Sequence, residues 1–452
     1  MSQVKLFSSS GGARVAKRSG RQKKQKVKKP LKTLAIWLLV ILCLEGLYFF
    51  CIYTNNSFVK KWRTIYINTA MDTMRHQWLA TYFIPKDVID EVRYEYGLVK
   101  AGTVGKESTW GRTDPVPADQ TPSTSYDSIV TLDPNVTHET DQPDAEELTQ
   151  EELEKQAEEN FYSVFWELDR TSMETYLAEH PDTLANGWEH IYINEAGFDD
   201  EGTSIQSTFG EQVLAIDAYN GVLLLRISGK GYRGVLAVGK DPSRLSIEMA
   251  TTLGTAGQLS GTIAEVHNGV LAMNANGFLD PNGAGNGGLL AGYTMSNGKA
   301  YGDHFSAYAY KRIELHEDDL FYIKDALSPV SEDCTDAAEF TPALIVDGKK
   351  IMDDYWTGEQ PRACIGQSEK YEILMLVIEG RYPLEGILGT SVNNCSEILL
   401  QHKCMQAINL DGGSSAMLWF DGEYVTQSSS SPLRSTGGRP LPNAWVYKKA
   451  ES

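Results

Sequence analysis

The feature that most constrains this chain is an apolar run of twenty-one residues, from Thr33 to Tyr53, which contains one charged residue, Glu45. A helix of that length crosses the roughly 30 Å hydrocarbon core of a bilayer. Residues 1–33 carry eleven Lys or Arg and no acid, and a basic flank of this kind stays on the cytoplasmic side. We therefore expect a single-pass protein of the cell membrane, with a cytoplasmic N-terminus and an extracytoplasmic C-terminal domain.

A cleavable signal peptide is the competing interpretation of this run. Its apolar part would be shorter, and no small-residue cleavage site of the A-x-A kind follows Tyr53, so an uncleaved anchor is favoured. Glu45 is costly inside a bilayer. It either faces a partner helix or stays protonated, and the sequence leaves both readings open.

Charge and cysteine content exclude several classes of protein. The net charge of −19 combines the basic tail with sixty acids against thirty bases in the rest of the chain, so no nucleic-acid partner is expected. Neither C-x-x-C nor H-E-x-x-H occurs, and hence no metal site or cofactor is predicted. Cys395 and Cys404 are placed on one helix, on different faces. The pairing of the four cysteines after the apolar run, which include Cys334 and Cys364, stays open.

Composition changes divide the chain into five segments. After the apolar run, helical spacing broken near Pro85 indicates a membrane-proximal stem, and a stretch rich in Pro, Thr, Ser, Asp and Glu indicates a solvated linker that ends in a charged helix. The predicted segments are a basic cytoplasmic tail (1–32), a transmembrane helix (33–53), a helical stem (54–100), an acidic linker (101–160) and a compact domain (161–452).

The compact domain is predicted to be α+β, strand-rich, with several antiparallel hairpins and interleaved helices. Asn-Gly and Asp-Gly pairs between apolar runs favour type I′ hairpin turns, and they occur at Asn220-Gly221, Asn297-Gly298, Asp347-Gly348 and Asp421-Gly422. Predicted helices at 256–266 and 392–405 lead into strands at 270–273 and 407–410. Both strands end in polar clusters, which suggests two strand ends that converge on one cleft.

Four polar clusters could carry chemistry, although each is also compatible with an ordinary turn or a solvated charge. Asparagine amides suit sugar hydroxyls or phosphate oxygens, an arginine fork matches a phosphate, and paired carboxyls serve glycoside chemistry. The four clusters surround Asn274, Arg362, Glu379 and Asn443, the last of which follows a serine run. They accompany the segment Asp411–Ser415, which combines a carboxylate, two glycines and two hydroxyls. Ser414 and Ser415 lack the G-x-S-x-G pattern, so a serine nucleophile is not expected.

Five motifs in order resemble those of the phosphodiester glycosidase family. They are AMNANGFLD at 272–280, PRACIG at 361–366, VIEGR at 377–381, AINLDGGSSAM at 407–417 and RPLPNAWV at 439–446. The resemblance covers about residues 210–449. The family typically has aspartate where this chain has Glu379, and a third glycine where it has Ser414.

The resemblance implies hydrolysis of a sugar–phosphate diester at the anomeric carbon. Carried onto this chain, it implies Asp411 and Glu379 as base or nucleophile and Arg362 as the group that neutralises the phosphate. Sugar hydroxyls and phosphate oxygens would be held by Asn274, Gly412, Gly413, Ser414 and Asn443. Retention or inversion at the anomeric carbon stays open, because it depends on the separation of the two carboxyls.

Together these features predict a bacterial, membrane-anchored enzyme that acts on a phosphate-containing exopolysaccharide or cell-wall polymer. The rival interpretation is a non-catalytic protein that binds glycan or scaffolds a polysaccharide export complex. Turnover of a glycosyl phosphodiester by the purified protein distinguishes the two.

Overall fold

The structure is a computed structural model that describes residues 29–73, 76–110, 149–198, 200–280, 285–305, 309–352, 358–430 and 437–451. The chain divides into two compact units, Met1–Lys60 and Lys61–Ser452. Most of the predicted basic tail and residues 111–148 of the predicted linker lie outside the described residues.

The first unit contains one long helix, α1 (Lys29–Tyr53). Its part from Lys32 to Tyr53 is long and apolar enough to cross a membrane. A signal sequence near the N-terminus has the same properties, so this helix is a candidate membrane span or signal sequence.

Seven further helices follow in the part of the chain that the structure describes. They are α2 (Ser57–Met71), α3 (Trp78–Thr81), α4 (Lys86–Ala101), α5 (Gln150–Val164), α6 (Arg170–Glu179), α7 (Ser260–Val266) and α8 (Val392–Gln401). The predicted break at Pro85 is present, because Pro85 caps the start of α4. The charged helix expected near 145–165 is α5, which begins with a capping box between Thr149 and Glu152.

The strands form one large sheet and three smaller ones, and every strand pair among the described residues is antiparallel. The strands are β1 (Tyr192–Asn194), β2 (Gln212–Asp217), β3 (Val222–Gly229), β4 (Tyr232–Gly239), β5 (Leu245–Met249), β6 (Gly269–Asn274), β7 (Gly277–Phe278), β8 (Leu290–Ala291), β9 (Thr294–Ser296), β10 (Lys299–Tyr301), β11 (Lys311–His316), β12 (Phe321–Asp325), β13 (Cys334–Phe340), β14 (Ala343–Val346), β15 (Lys349–Lys350), β16 (Arg362–Ser368), β17 (Ile373–Ile378), β18 (Cys404–Asn409), β19 (Leu418–Phe420), β20 (Glu423–Tyr424) and β21 (Asn443–Lys448).

The sheet orders confirm the predicted α+β class. The nine-stranded sheet runs β1-β2-β3-β4-β17-β16-β18-β14-β15, and the two five-stranded sheets run β10-β9-β13-β11-β12 and β20-β19-β6-β21-β5. Strands β16 and β17 are buried along their whole length. Helix α8 packs against β14 and β16–β18 and so covers one face of this part of the sheet.

All four predicted hairpins are present. Three of the turns have positive φ at both central residues, namely Asn297-Gly298, Asp347-Gly348 and Asp421-Gly422, as a type I′ turn requires. The fourth differs, because only Gly221 has positive φ. There Asn220 is held by Asp217, whose carboxylate accepts bonds from the Asn220 backbone N–H (2.9 Å) and side-chain amide (2.7 Å).

The predicted extent of α8 is wrong at its C-terminal end. Ser391 caps the helix as expected by accepting from the Asn394 N–H. The helix ends at Gln401, because Lys403 adopts a left-handed conformation with φ 57° and turns the chain into β18. Cys404 therefore lies on a strand and not on the helix of Cys395. Helix α7 is also shorter than expected and begins at Ser260.

Antiparallel pairing brings several predicted site residues to one edge of the large sheet. Arg362, at the start of β16, lies opposite Ile378 at the end of β17, and Cys364 lies opposite Asn409 at the end of β18. Glu379 and Asp411 follow those two strand ends. Asn274 and Asn443 belong to a different sheet, where β6 pairs with β21.

Candidate active site

Asn274 and Asp411 join the ends of strands that belong to two different sheets. The Asn274 side chain is fully buried, and its amide N–H donates to the Asp411 main-chain carbonyl over 2.8 Å. Its Oδ1 is also buried and receives no hydrogen bond from the part of the chain that the structure describes. A buried acceptor without a donor is costly, so this oxygen has an unmet capacity to accept a hydrogen bond.

The Asp411 carboxyl has its ionisation shifted by its surroundings. Burial among protein atoms raises its pKa above the usual range for aspartate. A hydrogen bond from Ser415 and the positive charges of Arg439 and Arg381 oppose this shift, whereas the negative charge of Asp280 adds to it. A carboxyl with a raised pKa beside two arginines is typical of a functional site.

The two glycines after Asp411 are required by close packing. A Cβ on Gly412 would lie 2.5 Å from the Pro361 carbonyl oxygen. Gly413 has φ 62°, and a Cβ there would lie 3.0 Å from the Nη1 atom of Arg381. The Gly413 N–H donates to the Pro361 carbonyl over 3.2 Å. The glycines thus let strand β16 and the Arg381 guanidinium approach the loop, and Ser414 is left partly exposed.

Arg381 is a further residue of the candidate site, and the sequence alone did not point to it. It has a left-handed backbone, with φ 65°, and its Nη2 donates to the Gln360 side chain over 3.3 Å. Burial and the nearby charge of Arg362 lower its pKa, and the charge of Asp411 opposes that effect. The available signal was its position directly after Glu379-Gly380 in the VIEGR motif.

Arg439 is the second cation that was missed. It forms an ion pair with Asp280, with Nη1 and Oδ2 separated by 2.7 Å, and its guanidinium lies 4.3 Å from the centre of the Phe278 ring. Both Asp280 and Arg439 stand at the ends of motifs used for the family resemblance. The pair places one fixed positive charge and one fixed negative charge in the electrostatic surroundings of Asp411.

Both carboxylate oxygens of Glu379 accept hydrogen bonds from protein groups. Its side chain is 6% exposed. One carboxylate oxygen accepts from Arg233 Nε over 2.7 Å, and the other accepts from the Gln427 backbone N–H over 2.9 Å. Glu379 therefore ties the end of β17 to β4 and to the segment at residue 427.

Arg362 is also held by protein groups. Its side chain is buried, and it donates from Nε to the Thr390 carbonyl over 3.1 Å and from Nη2 to the Gly358 carbonyl over 3.0 Å. Its charge still reaches the site, since it contributes to the lowered pKa of Arg381.

Asn443 pairs with Asn276, two residues beyond Asn274. The Asn443 Oδ1 accepts from the Asn276 N–H over 3.1 Å, and its Nδ2 donates to the Asn276 Oδ1 over 3.1 Å. Asn276 in turn donates to the Tyr293 carbonyl over 3.0 Å. Asn443 thus fixes the backbone that follows β6.

A group of aromatic and acidic residues extends this chain of contacts. The rings of Tyr293 and His304 stack with centroids 4.4 Å apart. His304 Nδ1 contacts the fully buried carboxylate of Glu339. The rings of Phe305 and Tyr310 stack at 3.9 Å, and the Asp411 charge contributes to the raised pKa of Tyr310, for which burial is the main cause. This group was not predicted, because its residues are dispersed along the sequence.

The described residues were also compared with the requirements of a metal site. Among the described residues there is no group of three or more His, Cys, Asp or Glu side chains placed to hold a metal ion.

One family model matches the C-terminal part of the chain. Residues 265–448 match the family model described as phosphodiester glycosidase. Over these residues the chain therefore resembles the phosphodiester glycosidase family, and the resemblance based on the five motifs is confirmed. No curated protein sequence matches the chain.

Three solved structures are similar to the chain at low sequence identity. The catalytic domain of zebrafish N-acetylglucosamine-1-phosphodiester alpha-N-acetylglucosaminidase, auto-inhibited by its pro-peptide, has 15% identity and a TM-score of 0.41, with 51% of this chain and 82% of that one covered. A hypothetical protein from Synechocystis has 15% identity and a TM-score of 0.36, with coverages of 54% and 65%. A protein from Burkholderia pseudomallei described as exported has 14% identity and a TM-score of 0.34, with coverages of 48% and 74%.

Proposed function

We propose that this protein hydrolyses a sugar-1-phosphodiester bond, in which water replaces a phosphate monoester at the anomeric carbon. The observation that carries the proposal is the buried junction of Asn274 and Asp411. It combines a carboxyl of raised pKa with an amide oxygen that lacks a donor among the described residues.

Asp411 is the group proposed to act at the anomeric carbon, either as a base towards water or as the nucleophile. Both oxygens of Glu379 already accept from protein donors, whereas Asp411 is partly exposed. We therefore assign the reacting role to Asp411. Glu379 holds the end of β17 in place, and its predicted catalytic role is reduced to positioning.

Arg381 is proposed to neutralise the departing phosphate. It lies against Gly413 and interacts with the Asp411 charge, so a phosphate at the anomeric carbon would come within its reach. Arg362 was expected to neutralise the phosphate. We assign it a supporting role, in which its charge acts on Arg381 without contact with the phosphate. Stabilising charge that builds on a leaving group is often the largest single contribution of an enzyme.

The sugar is proposed to donate a hydroxyl to Asn274 Oδ1, while Gly412, Gly413 and Ser414 form the wall of the cleft beside it. Asn443 supports this arrangement through Asn276. A site built to accept a hydroxyl rejects analogues that lack it, because the buried acceptor then stays unpaired.

The enzyme is further proposed to be anchored in a bacterial membrane, with its domain outside the cell, where it acts on an exopolysaccharide or wall polymer that contains phosphate. Support comes from the apolar helix Lys32–Tyr53 and from the basic residues that precede it.

The test is to incubate the full chain, reconstituted in nanodiscs, with a panel of glycosyl phosphodiesters. Free sugar and a phosphate monoester are expected in equal amounts, and proton NMR of the first-formed anomer decides between retention and inversion. Glycan binding without turnover on any member of the panel would favour the non-catalytic scaffold instead.

A further inference from the structure

Exposed aromatic side chains are concentrated in the first helices of the second unit. Eleven aromatic residues are strongly exposed in the described part of residues 61–451, and five of them lie between residues 62 and 83. We call these five the aromatic surface: Trp62, Tyr66, Trp78, Tyr82 and Phe83, which are 50%, 43%, 56%, 81% and 51% exposed.

The five side chains belong to one contiguous feature of the fold. Trp62 and Tyr66 are one turn apart on α2, and Trp78 and Tyr82 are one turn apart at α3, so each pair shares a helix face. The Tyr66 hydroxyl donates to the Leu79 carbonyl over 2.7 Å and thereby joins the two helices. Tyr82 and Phe83 are in edge contact, with ring centroids 5.3 Å apart.

The opposite sides of these helices are apolar and buried. Ile65, Ile67, Ala70 and Ala80 are all less than 10% exposed, so the aromatic surface is the outer side of a packed element. Asp72 on this element forms an ion pair with Arg93 of α4 at 2.6 Å. The aromatic surface is therefore supported by α4 and by a buried core.

The same helices pack against the sheet that carries the candidate site. A Cβ on Gly358 would lie 2.1 Å from the Thr69 hydroxyl oxygen of α2, and the Gly358 carbonyl accepts from Arg362. Helix α2 thus contacts the segment that leads into β16.

We propose that the aromatic surface lies in the headgroup layer of the lipid bilayer and holds the second unit against the membrane. The proposal rests on the membrane anchoring given under the proposed function. Helix α2 begins four residues after α1 ends, and four extended residues reach at most about 14 Å. If α1 spans the bilayer, the aromatic surface therefore starts close to the layer that tryptophan and tyrosine prefer.

Charge supports a lipid surface as the occupant. Lys60, Lys61 and Arg63 lie on α2 next to Trp62 in the sequence, and basic residues at this level attract anionic headgroups. Exposed apolar patches on soluble surfaces are otherwise small. The domain would then lie on the membrane and would act on polymer that is close to it, in place of standing away from the bilayer on a stalk.

Tryptophan quenching by brominated lipids tests the proposal on the full chain. The protein is reconstituted, one chain per nanodisc, in phosphatidylcholine and phosphatidylglycerol, with and without brominated acyl chains. Trp37 of α1, Trp62 and Trp78 are expected to be the quenched tryptophans. In the double variant Trp62→Phe/Trp78→Phe, the quenched intensity should fall by about two thirds, whereas Trp188→Phe, at a partly buried position, should leave it unchanged.

Equal quenching in wild type and in the double variant would overturn the proposal. A second measurement addresses a second copy of the chain as the occupant: Tyr82→Glu should raise amide hydrogen exchange in α3 only in lipid, and Tyr219→Glu is the exposed control. Protection of α3 that persists in detergent and depends on protein concentration would identify a dimer and would contradict the proposal. Turnover of a soluble glycosyl phosphodiester, measured on the same samples, keeps failure of membrane docking separate from failure of the proposed catalysis.

Discussion

The Asn274 amide donates to the Asp411 main-chain carbonyl over 2.8 Å, and this single bond connects the end of β6 in one sheet to the end of β18 in another. The same amide leaves its Oδ1 without a donor from the described residues. Two strand ends are thus joined, and one buried acceptor next to the Asp411 main chain has no donor among the described residues.

Replacing Asn274 and replacing Asn443 should have different consequences. Asn274→Ala should raise KM on a glycosyl phosphodiester by about tenfold or more, because a buried hydrogen bond to a sugar hydroxyl is worth about 1–3 kcal/mol. Asn443→Ala should mainly lower stability, since it leaves the paired groups of Asn276 without partners. Steady-state kinetics and thermal melting of both variants check this. A large fall in stability for Asn274→Ala, with KM unchanged, would contradict the assignment.

Replacing Arg381 should slow the hydrolysis of substrates with a phosphate leaving group much more than that of uncharged glycosides. Arg381→Ala should lower kcat/KM for a glycosyl phosphodiester by about 10²–10³-fold, and Arg381→Lys should restore part of the activity. Hydrolysis of an uncharged aryl glycoside, where it can be measured, should change much less. Arg226→Ala is a suitable control, because that arginine bonds to the Asp200 carbonyl on an exposed part of the surface. Equal losses on both substrates would argue against a phosphate role.

Arg362→Met should destabilise the protein. The buried guanidinium donates to two main-chain carbonyls, and hydrogen bonds to charged groups contribute about 1.5–3 kcal/mol each. Urea unfolding followed by circular dichroism should therefore show a lower midpoint. An unchanged urea midpoint together with lost activity would instead indicate that Arg362 contacts the phosphate directly, as the sequence predicted.

The pH dependence of activity should follow the environment of Asp411. Its pKa is raised by burial, so the acidic limb of kcat/KM should lie at higher pH than for an ordinary aspartate if the ionised form reacts. Ser415 stabilises the ionised form through its hydrogen bond. Ser415→Ala should therefore move this limb to still higher pH, whereas Ser396→Ala, which removes a hydroxyl inside α8, should not move it.

The free energy of unfolding should also depend on pH through the ionisation of Asp411. Because the folded state holds the Asp411 proton more tightly than the unfolded state does, wild type loses stability as the pH rises from the ordinary aspartate pKa through the raised one. Asp411→Asn removes this loss, so its melting temperature should be at least that of wild type at neutral pH. The difference between the two proteins should shrink in acid. Melting curves across the acidic range measure it.

Features that depend on a few neighbouring residues could be predicted from the sequence. The four hairpins follow from Asn-Gly and Asp-Gly chemistry, and the cap at Ser391 follows from side-chain preference. Polar residues at the ends of two predicted strands also indicated that Asn274 and Asp411 lie close together, as their hydrogen bond shows.

Features that arise from packing between distant segments could not be predicted. Arg381 reaches the site only because its left-handed backbone turns it towards Gly413. Asn443 finds its partner in Asn276 across two strands. The early end of α8 depends on the conformation of Lys403, for which the sequence gives no strong local signal.

The most direct test of the account is the turnover of a glycosyl phosphodiester by Asp411→Asn compared with Asp421→Asn. Asp421 lies in a hairpin turn whose conformation asparagine also adopts, so it serves as the matched control. We predict a loss of about 10²–10⁴-fold in kcat for Asp411→Asn, with melting preserved, and wild-type activity for Asp421→Asn. Full activity of Asp411→Asn on a substrate that the wild type cleaves would contradict the central role of Asp411.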